Sequence, residues 1–227
     1  MKRYGFPHVP LVSSAERANR NTLSVDSHAL QPPRALDIIN RCEEAKPTAL
    51  KAFHRRDGLA VLAIYQFPNA ILRQKAKKVR KIDKSIQRLA DNMIDTLKDA
   101  SGVGLAANQV GVLRRVIVIQ LPEEEEPRVY INPEIVHREG ERDVEEACLS
   151  VPGYTAVITR AIWVKAKGLD RASKLVRLRA DGLLAQALEH EIDHLNGILY
   201  VDHLKKHQQL VKDEPEAEEA RSEVVAV

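Results

Sequence analysis

Two histidines four residues apart are the residues best suited to chemistry in this 227-residue chain. They belong to the run His190, Glu191, Ile192, Asp193, His194. On an α-helix, positions i and i+4 share one face, so the two imidazoles can bind a single metal ion. Glu191 lies beside them and can reach a water molecule bound to that ion, which is the arrangement of a metal hydrolase.

The helix face that carries these histidines is otherwise apolar, because Leu183 and Ala187 lie on the same stripe at helical spacing. A buried imidazole needs a polar partner. An exposed, charged helix face is the alternative interpretation, but a metal ion explains two buried histidines more simply. Asp193 follows Glu191 by two residues and cannot share its face, so we expect Asp193 to have a supporting or surface role and not to be a ligand.

A catalytic site with two histidine ligands needs one further protein ligand and keeps a position open for water. Cys148, in the block of residues 145–153, is the best candidate. Taken alone, a cysteine beside Leu149 is more often a buried apolar residue than a ligand. Joined to the two histidines, ligation becomes the better interpretation. Cys42 is the only other cysteine, which excludes a disulfide framework.

Small residues fill a third segment, residues 102–109, whose sequence is Gly-Val-Gly-Leu-Ala-Ala-Asn-Gln. Such residues let another backbone, for example that of a peptide substrate, approach closely. The segment lacks the Lys and Ser/Thr of a phosphate-binding loop, so a nucleotide site is not favoured. Taken alone, a pair of glycines is also typical of an ordinary turn.

Two helices must position these groups. Apolar residues recur at three- and four-residue spacing across residues 86–97, and Asp83 is the predicted N-cap of this amphipathic helix. The second helix is predicted to begin after Asp181, to carry the histidine motif and to stop at Gly197.

Short strand-like segments lie between the two helices, separated by Pro, Gly or charged turns. They are residues 116–121, 129–132, 134–138, 156–159, 162–168 and 175–180. A further apolar run at residues 59–65 suits a buried strand. Short strands in series favour antiparallel pairing. We therefore predict an α+β fold in which mostly antiparallel strands pack around the C-terminal HExxH helix, with one further amphipathic helix nearer the N-terminus.

The composition, 44% hydrophobic and 30% charged, is that of a globular protein. The longest apolar run has seven residues, whereas a membrane-spanning helix needs roughly 20, so we expect no membrane partner. Residues 1–57 are predicted to be a flexible N-terminal extension, residues 58–204 the folded domain and residues 205–227 a polar acidic tail. The extension faintly resembles an organelle transit peptide, which leaves organelle targeting as an alternative to a cytoplasmic location.

Charge and aromatic content argue against a dedicated nucleic-acid binder. The net charge is +3 and aromatic residues make up 4% of the chain, so we expect no specific nucleic-acid partner. Seven Lys or Arg and one Asp nevertheless crowd into residues 73–84. This run could touch a phosphate backbone or form a solvated loop, and the loop is the favoured interpretation.

The three blocks, in this order, resemble the peptide deformylase family. The family pattern consists of a GxGxAAxQ loop, an EGCLS block and a final HExxH helix. Residues 102–109, 146–150 and 190–194 match these motifs, and the likeness spans about residues 60–204. Three linked motifs are far more specific than any one of them.

The resemblance implies a metal-dependent hydrolase that removes the formyl group from the N-terminal formylmethionine of newly synthesised polypeptides and releases formate. By the family pattern, Cys148, His190 and His194 bind one Fe²⁺ per chain, and Zn²⁺, Ni²⁺ or Co²⁺ can substitute. The implied partners are nascent N-formylmethionyl polypeptides, with transient proximity to the ribosome in the cytoplasm.

The same resemblance assigns roles to further residues. Glu191 would be the general acid/base. Gln109 and the backbone amide of Leu149 would stabilise the oxyanion, and Gly104, with its neighbour Val103, would contact the substrate backbone.

Two positions depart from the family pattern. Ala147 stands where Gly is common and adds a methyl group where a peptide substrate should pass. Glu189 stands where Gln is common, and we expect it to be exposed. Two alternatives stay open: a zinc endopeptidase, which the HExxH motif alone would suggest, and a non-catalytic relative that binds formylated chains.

Overall fold

The structure, a computed structural model, describes residues 54–56, 59–204 and 210–213. The predicted extension, residues 1–57, therefore lies outside the described part except for its last strand, and most of the predicted tail, residues 205–227, lies outside it as well. The division of the chain into extension, domain and tail stays a prediction.

The described residues form ten strands, two α-helices and three short 3₁₀ turns. The strands are β1 His54–Arg56, β2 Leu59–Val61, β3 Gly104–Ala106, β4 Val116–Ile119, β5 Arg128–Glu139, β6 Arg142–Cys148, β7 Val151–Arg160, β8 Trp163–Leu169, β9 Leu175–Asp181 and β10 Val211–Lys212. The helices are α1 Lys84–Asp99 and α2 Gly182–Leu195, and the 3₁₀ turns are Ala70–Arg73, Ala107–Val110 and Tyr200–His203.

The named strands pair antiparallel throughout and form three sheets. Strands β1 and β2 make a hairpin, the five-stranded sheet has the order β3-β4-β5-β8-β9, and the three-stranded sheet has the order β10-β7-β6. The predicted α+β class, with antiparallel strands around the C-terminal helix, is confirmed.

Strand β4 shows why the five-stranded sheet needs a helix on each face. All four of its residues are fully buried. Successive side chains of a strand point to opposite faces. Ile117 and Ile119 therefore pack with the apolar residues of α2, whereas Val116 and Val118 pack with those of α1. A continuous apolar strand in the sequence thus indicates a layer covered on both sides.

Helix α1 begins where the sequence predicts. The Asp83 side chain accepts hydrogen bonds from the backbone N–H groups of Ser85 and Ile86, at 2.9 and 3.2 Å. These bonds satisfy amides that have no partner within the first turn. Met93 and Leu97 are buried on the inner face of the helix, as the apolar spacing requires.

Helix α2 ends at Leu195, just before the predicted stop at Gly197, where two constraints meet. Gly197 has φ +76°, a left-handed conformation that side chains with a Cβ rarely adopt. A Cβ at this position would also lie 2.4 Å from the carbonyl oxygen of Arg73. At the other end of the helix, Asp181 occupies the predicted N-cap position, but its side chain makes no capping hydrogen bond.

The strand predictions miss four strands, β1, β3, β6 and β10, and divide a fifth, β5. Residues 129–132 and 134–138 belong to one strand, β5, whose register shifts between Ile131 and Glu134. Strand β3 has only three residues, and β6 is rich in charged residues, so neither shows a clear strand pattern. Within the described part of the chain, neither helix combines the length and apolar character needed to cross a membrane.

The packing of α1 predicts a large cost for removing its central side chain. Met93 is 0% exposed, so Met93→Ala should lower the free energy of unfolding by about 2–5 kcal/mol, measured by urea denaturation. Met93→Leu keeps most of the volume and should cost less than about 1.5 kcal/mol. Equal losses in the two variants would contradict the packing role assigned to this side chain.

Candidate metal centre

The structure brings the three predicted metal ligands together. His190 and His194 project from α2, and Cys148 comes from the last position of β6. The ligand atoms of the three residues all lie within 4.8 Å of one another, and Cys148 Sγ is 3.2 Å from His194 Nε2. Because metal bonds to Cys and His are about 2.0–2.3 Å long, one ion can contact all three.

The donor set suits a catalytic ion. Cys148 and His194 are buried, at 7% and 0% exposure, and His190 is nearly so. One thiolate and two imidazoles leave a position open for water on a four-coordinate ion. The residues present therefore fit the metal that the motif predicts.

A buried carboxylate orients His190 toward this centre. His190 Nδ1 lies 2.8 Å from Glu146 Oε2, so the other ring nitrogen, Nε2, is directed toward the centre. Burial by itself would raise the pKa of Glu146, but hydrogen bonds from His190 and Arg160 outweigh burial and lower it. Glu146 therefore stays an ionised acceptor behind the ligand.

Glu146 is itself held by a buried arginine. Arg160 donates from Nε and Nη2 to the two oxygens of Glu146, at 2.8 and 3.1 Å. Its Nη1 donates to Asp193 Oδ2 at 2.6 Å, and His203 Nε2 lies 2.8 Å from the same oxygen. Asp193 thus has the expected supporting role, in a buried ion-pair network and not at the surface.

The two histidines have opposite electrostatic environments. Burial and the positive charge of His190 place the pKa of His194 well below its ordinary value. Burial opposes charge on His190 as well, but hydrogen bonds with Cys148 and Glu146 raise its pKa well above that value. His194 Nε2 faces Cys148 Sγ, as a ligand nitrogen should.

Glu191 is buried beside the ligands with one oxygen unpaired. Its side-chain oxygen Oε2 has no hydrogen-bond partner among the described residues. Burial raises the pKa of Glu191 to about 7, and the carboxylates of Glu146 and Asp193 add to the effect while His190 opposes it. A carboxyl group with this pKa and a free oxygen can accept a proton and return it near neutral pH.

Gly104 provides the space that Glu191 occupies. A Cβ at Gly104 would lie 2.3 Å from Glu191 Oε1 and 2.8 Å from its carboxyl carbon. No side chain larger than hydrogen fits there unless Glu191 moves. The glycine loop predicted to approach a substrate therefore also makes room for the carboxylate.

Gln109 is fixed with its donor end toward the centre. Its Oε1 accepts a hydrogen bond from the Ala106 N–H at 2.8 Å, which sets the orientation of the amide. Its Nε2 lies 3.1 Å from Ser150 Oγ and 3.8 Å from Cys148 Sγ. A donor held in this way can stabilise negative charge on a neighbouring oxygen.

A cavity of about 460 Å³ opens beside these residues. Its lining includes Val103, Gly104, Ala147 and Leu149, together with Leu183 of α2. Ala147 is exposed, so its methyl group faces the opening. A peptide backbone that enters the cavity can contact these residues.

The expectation that Glu189 is exposed is wrong, and the buried Arg160 was not predicted. Glu189 is 4% exposed, and it accepts hydrogen bonds from Arg138 Nε at 2.7 Å and from the Ala161 N–H at 3.0 Å. It is buried because β5 and the β7–β8 connection cover this side of α2. The alternation that places Ala156 and Ile158 inward in β7 continues to Arg160 and could have revealed it.

Comparison with known proteins gives one consistent family. The sequence pattern of the polypeptide deformylase family matches residues 61–210. The chain is 52% identical over 160 residues to a peptide deformylase of Dehalococcoides mccartyi (strain CBDB1), covering 70% of this chain and 96% of the relative. It is 51% identical over 144 residues to one of Halothermothrix orenii, covering 63% of this chain and 94% of the relative.

Solved structures agree with the sequence matches. A peptide deformylase from Legionella pneumophila has a TM-score of 0.63 and 47% identity, covering 65% of this chain and 88% of that one. One from Synechococcus elongatus, in complex with actinonin, has a TM-score of 0.63 and 36% identity, covering 72% of this chain and 87% of that one.

The hydrogen bond behind His190 predicts weaker metal binding when its acceptor is lost. Glu146→Leu removes the carboxylate, and loss of such a partner typically lowers metal affinity by about 10–100-fold. Competition with a chelator measures the change. Glu145→Gln alters an exposed neighbour on the same strand and should bind metal like the unmodified protein. Matching affinities in the two variants would rule out the orienting role of Glu146.

Proposed function

Because the chain belongs to the peptide deformylase family, we propose that its Cys148, His190 and His194 bind the metal ion of a deformylase and that Glu191 is the general acid/base. The enzyme removes the formyl group from the N-terminus of formylated polypeptides. The observation that carries the assignment is the convergence of the three ligand atoms beside a buried carboxylate with an unpaired oxygen.

The chemistry needs an activated water and a polarised carbonyl, since a formamide is a poor electrophile. An ion bound here supplies both effects when present. Glu191 accepts the proton of the attacking water and delivers it to the departing amine. Its burial suits both steps, because the raised pKa lets the carboxyl group change protonation state near neutral pH.

Negative charge develops on the formyl oxygen as the carbonyl carbon becomes tetrahedral. Gln109 Nε2 is one donor to the formyl oxygen, and its position is set by the hydrogen bond that Gln109 Oε1 accepts from Ala106. The Leu149 backbone N–H is the second donor. Preorganised donors of this kind contribute roughly 3 kcal/mol each to transition-state stabilisation. Val103 and Gly104 would contact the substrate backbone along the cavity wall.

The native metal is proposed to be Fe²⁺, with Zn²⁺, Ni²⁺ or Co²⁺ able to replace it. One cysteine and two histidines suit both iron and zinc, so this assignment follows the family pattern and not the donor set. The proposed partners are nascent N-formylmethionyl polypeptides, met near the ribosome in the cytoplasm. The endopeptidase and the non-catalytic binder gain no support from the relatives or the solved structures.

Replacing the proposed acid/base should stop turnover without removing the metal. Glu191→Gln in anaerobically purified protein is expected to lower kcat for formate release from a formyl-Met peptide by about 10²–10⁴-fold. Metal analysis should give one ion per chain in both proteins. Full activity of the variant would contradict the assigned mechanism, and cleavage of internal, unformylated peptide bonds would favour the endopeptidase instead.

The close approach of Gly104 to Glu191 gives a second test. Gly104→Ala should displace Glu191, lowering both kcat and the free energy of unfolding while metal binding persists. In a Glu191→Ala background the clash is absent, so the same substitution should cost little stability. A stability cost that is equal in both backgrounds would show that the two residues do not compete for this space.

A further inference from the structure

Six basic side chains without ion-pair partners among the described residues lie on the surface, five of them in the segment that the sequence predicts to be a solvated loop. We define the basic strip as Lys75, Lys77, Lys78, Arg80, Lys81 and Arg114, all of which are exposed. None of the six forms an ion pair with another residue in the described part of the chain. The one acid within residues 73–84, Asp83, is engaged in capping α1.

Hydrogen bonds attach the backbone of the basic strip to the protein core. The Ala76 N–H donates to the Leu195 carbonyl at 2.8 Å, and the Arg115 N–H donates to the Lys77 carbonyl at 3.0 Å. The Asn132 side chain bonds both the N–H and the carbonyl of Val79, at 2.8 and 2.9 Å. Ala76 and Val79 are themselves buried, so the backbone that carries the cations is held in place and a partner need not order it on binding.

The basic strip is attached at the C-terminal end of α2, whereas the cavity is lined by α2 residues from Leu183 to Glu191. Leu183, in the first turn of the helix, lines the cavity, whereas Leu195, at its last position, bonds the strip backbone. These two residues are twelve positions apart, which corresponds to about 18 Å along the helix axis. None of the six strip residues lines the cavity, so a partner bound to the strip does not occupy it.

The chemistry of the basic strip fits a phosphate backbone better than other anionic surfaces. None of the exposed large apolar side chains of the described residues lies in it, whereas membrane-surface segments bury such side chains in the lipid. It contains no aromatic residue on which unpaired bases could stack. Lysines and arginines that contact phosphates bind duplex nucleic acid without reading its sequence.

We propose that the basic strip docks on the phosphate backbone of folded RNA and so holds the cavity close to polypeptides as they emerge from the ribosome. The choice of RNA rests on the proposed function, because a deformylase meets its substrate where ribosomal RNA is exposed. The contact is independent of base sequence, which is compatible with the absence of a specific nucleic-acid partner expected from the net charge.

Matched charge variants test the proposal. Lys77→Gln, Lys78→Gln and Lys81→Gln together form the strip variant, and Lys98→Gln, Lys174→Gln and Arg177→Gln form a control with the same loss of charge elsewhere on the surface. Binding to an RNA hairpin with a duplex stem is measured by fluorescence anisotropy over a range of KCl concentrations. The strip variant should bind about ten-fold more weakly or worse, and its salt slope should fall by about 2 to 3, while the control matches the unmodified protein.

Four results would overturn the proposal: no binding of the hairpin at low salt, equal losses in the two variants, tighter binding of a DNA duplex of the same sequence, or tighter binding of phosphatidylglycerol vesicles. Formate release from a short formyl-Met peptide is measured in parallel, and the strip variant should retain it. RNA binding without formate release by the unmodified protein would support the docking proposal and reject the proposed function. Formate release without RNA binding would support the proposed function and reject the docking proposal.

Discussion

A buried arginine between two carboxylates is the interaction on which the metal centre depends. Burial alone would lower the pKa of Arg160, but Glu146 and Asp193 outweigh burial and raise it, so the guanidinium stays charged inside the protein. Removing one partner of such a group strands an uncompensated charge, which typically costs about 3–5 kcal/mol. Because Glu146 also accepts the hydrogen bond of His190, the orientation of a metal ligand depends on the same ion pair.

Glu191 lies close to this network, but among the described residues its carboxyl group is not paired with a cation in the way that Glu146 and Asp193 are. Arg160 has each of its three guanidinium nitrogens in a bond to a carboxylate, whereas Glu191 keeps an oxygen free. Pairing would hold the pKa of Glu191 low and would make it a poor proton carrier. The carboxylates of Glu146 and Asp193, which support the site, are therefore neutralised by Arg160. The carboxyl group of Glu191, which can transfer protons, has no such partner in the described part of the chain, and Gly104 leaves the space that it occupies.

Local patterns in the sequence were enough to predict the parts of the site that lie within one element. The spacing of His190 and His194 requires only helical geometry, and Asp83 and Gly197 could be assigned from capping chemistry alone. Cys148 is 46 residues from His194, and no local pattern joins them, so its role as a ligand depended on the presence of the histidines and on the family likeness.

Pairings between distant elements are what the sequence could not show. The burial of Glu189 depends on Arg138 and on the backbone of Ala161, which belong to other elements. Strand β6 escapes prediction for the same reason, since its charged residues Arg142, Asp143 and Glu146 find partners on β7, on the β7–β8 connection and on α2. Charged residues that look solvent-exposed in a linear sequence become interior residues once the topology brings them a counter-ion.

The position of Cys148 gives the ion a mechanical role as well as a chemical one. The cysteine ends a strand of the three-stranded sheet, whereas both histidines belong to the helix packed on the five-stranded sheet. A single ion held by all three would join these two layers, much as a disulfide would, and would close a long loop of chain. Such an ion would thus serve the fold as well as the hydrolysis, and its loss would weaken the contact between the two layers.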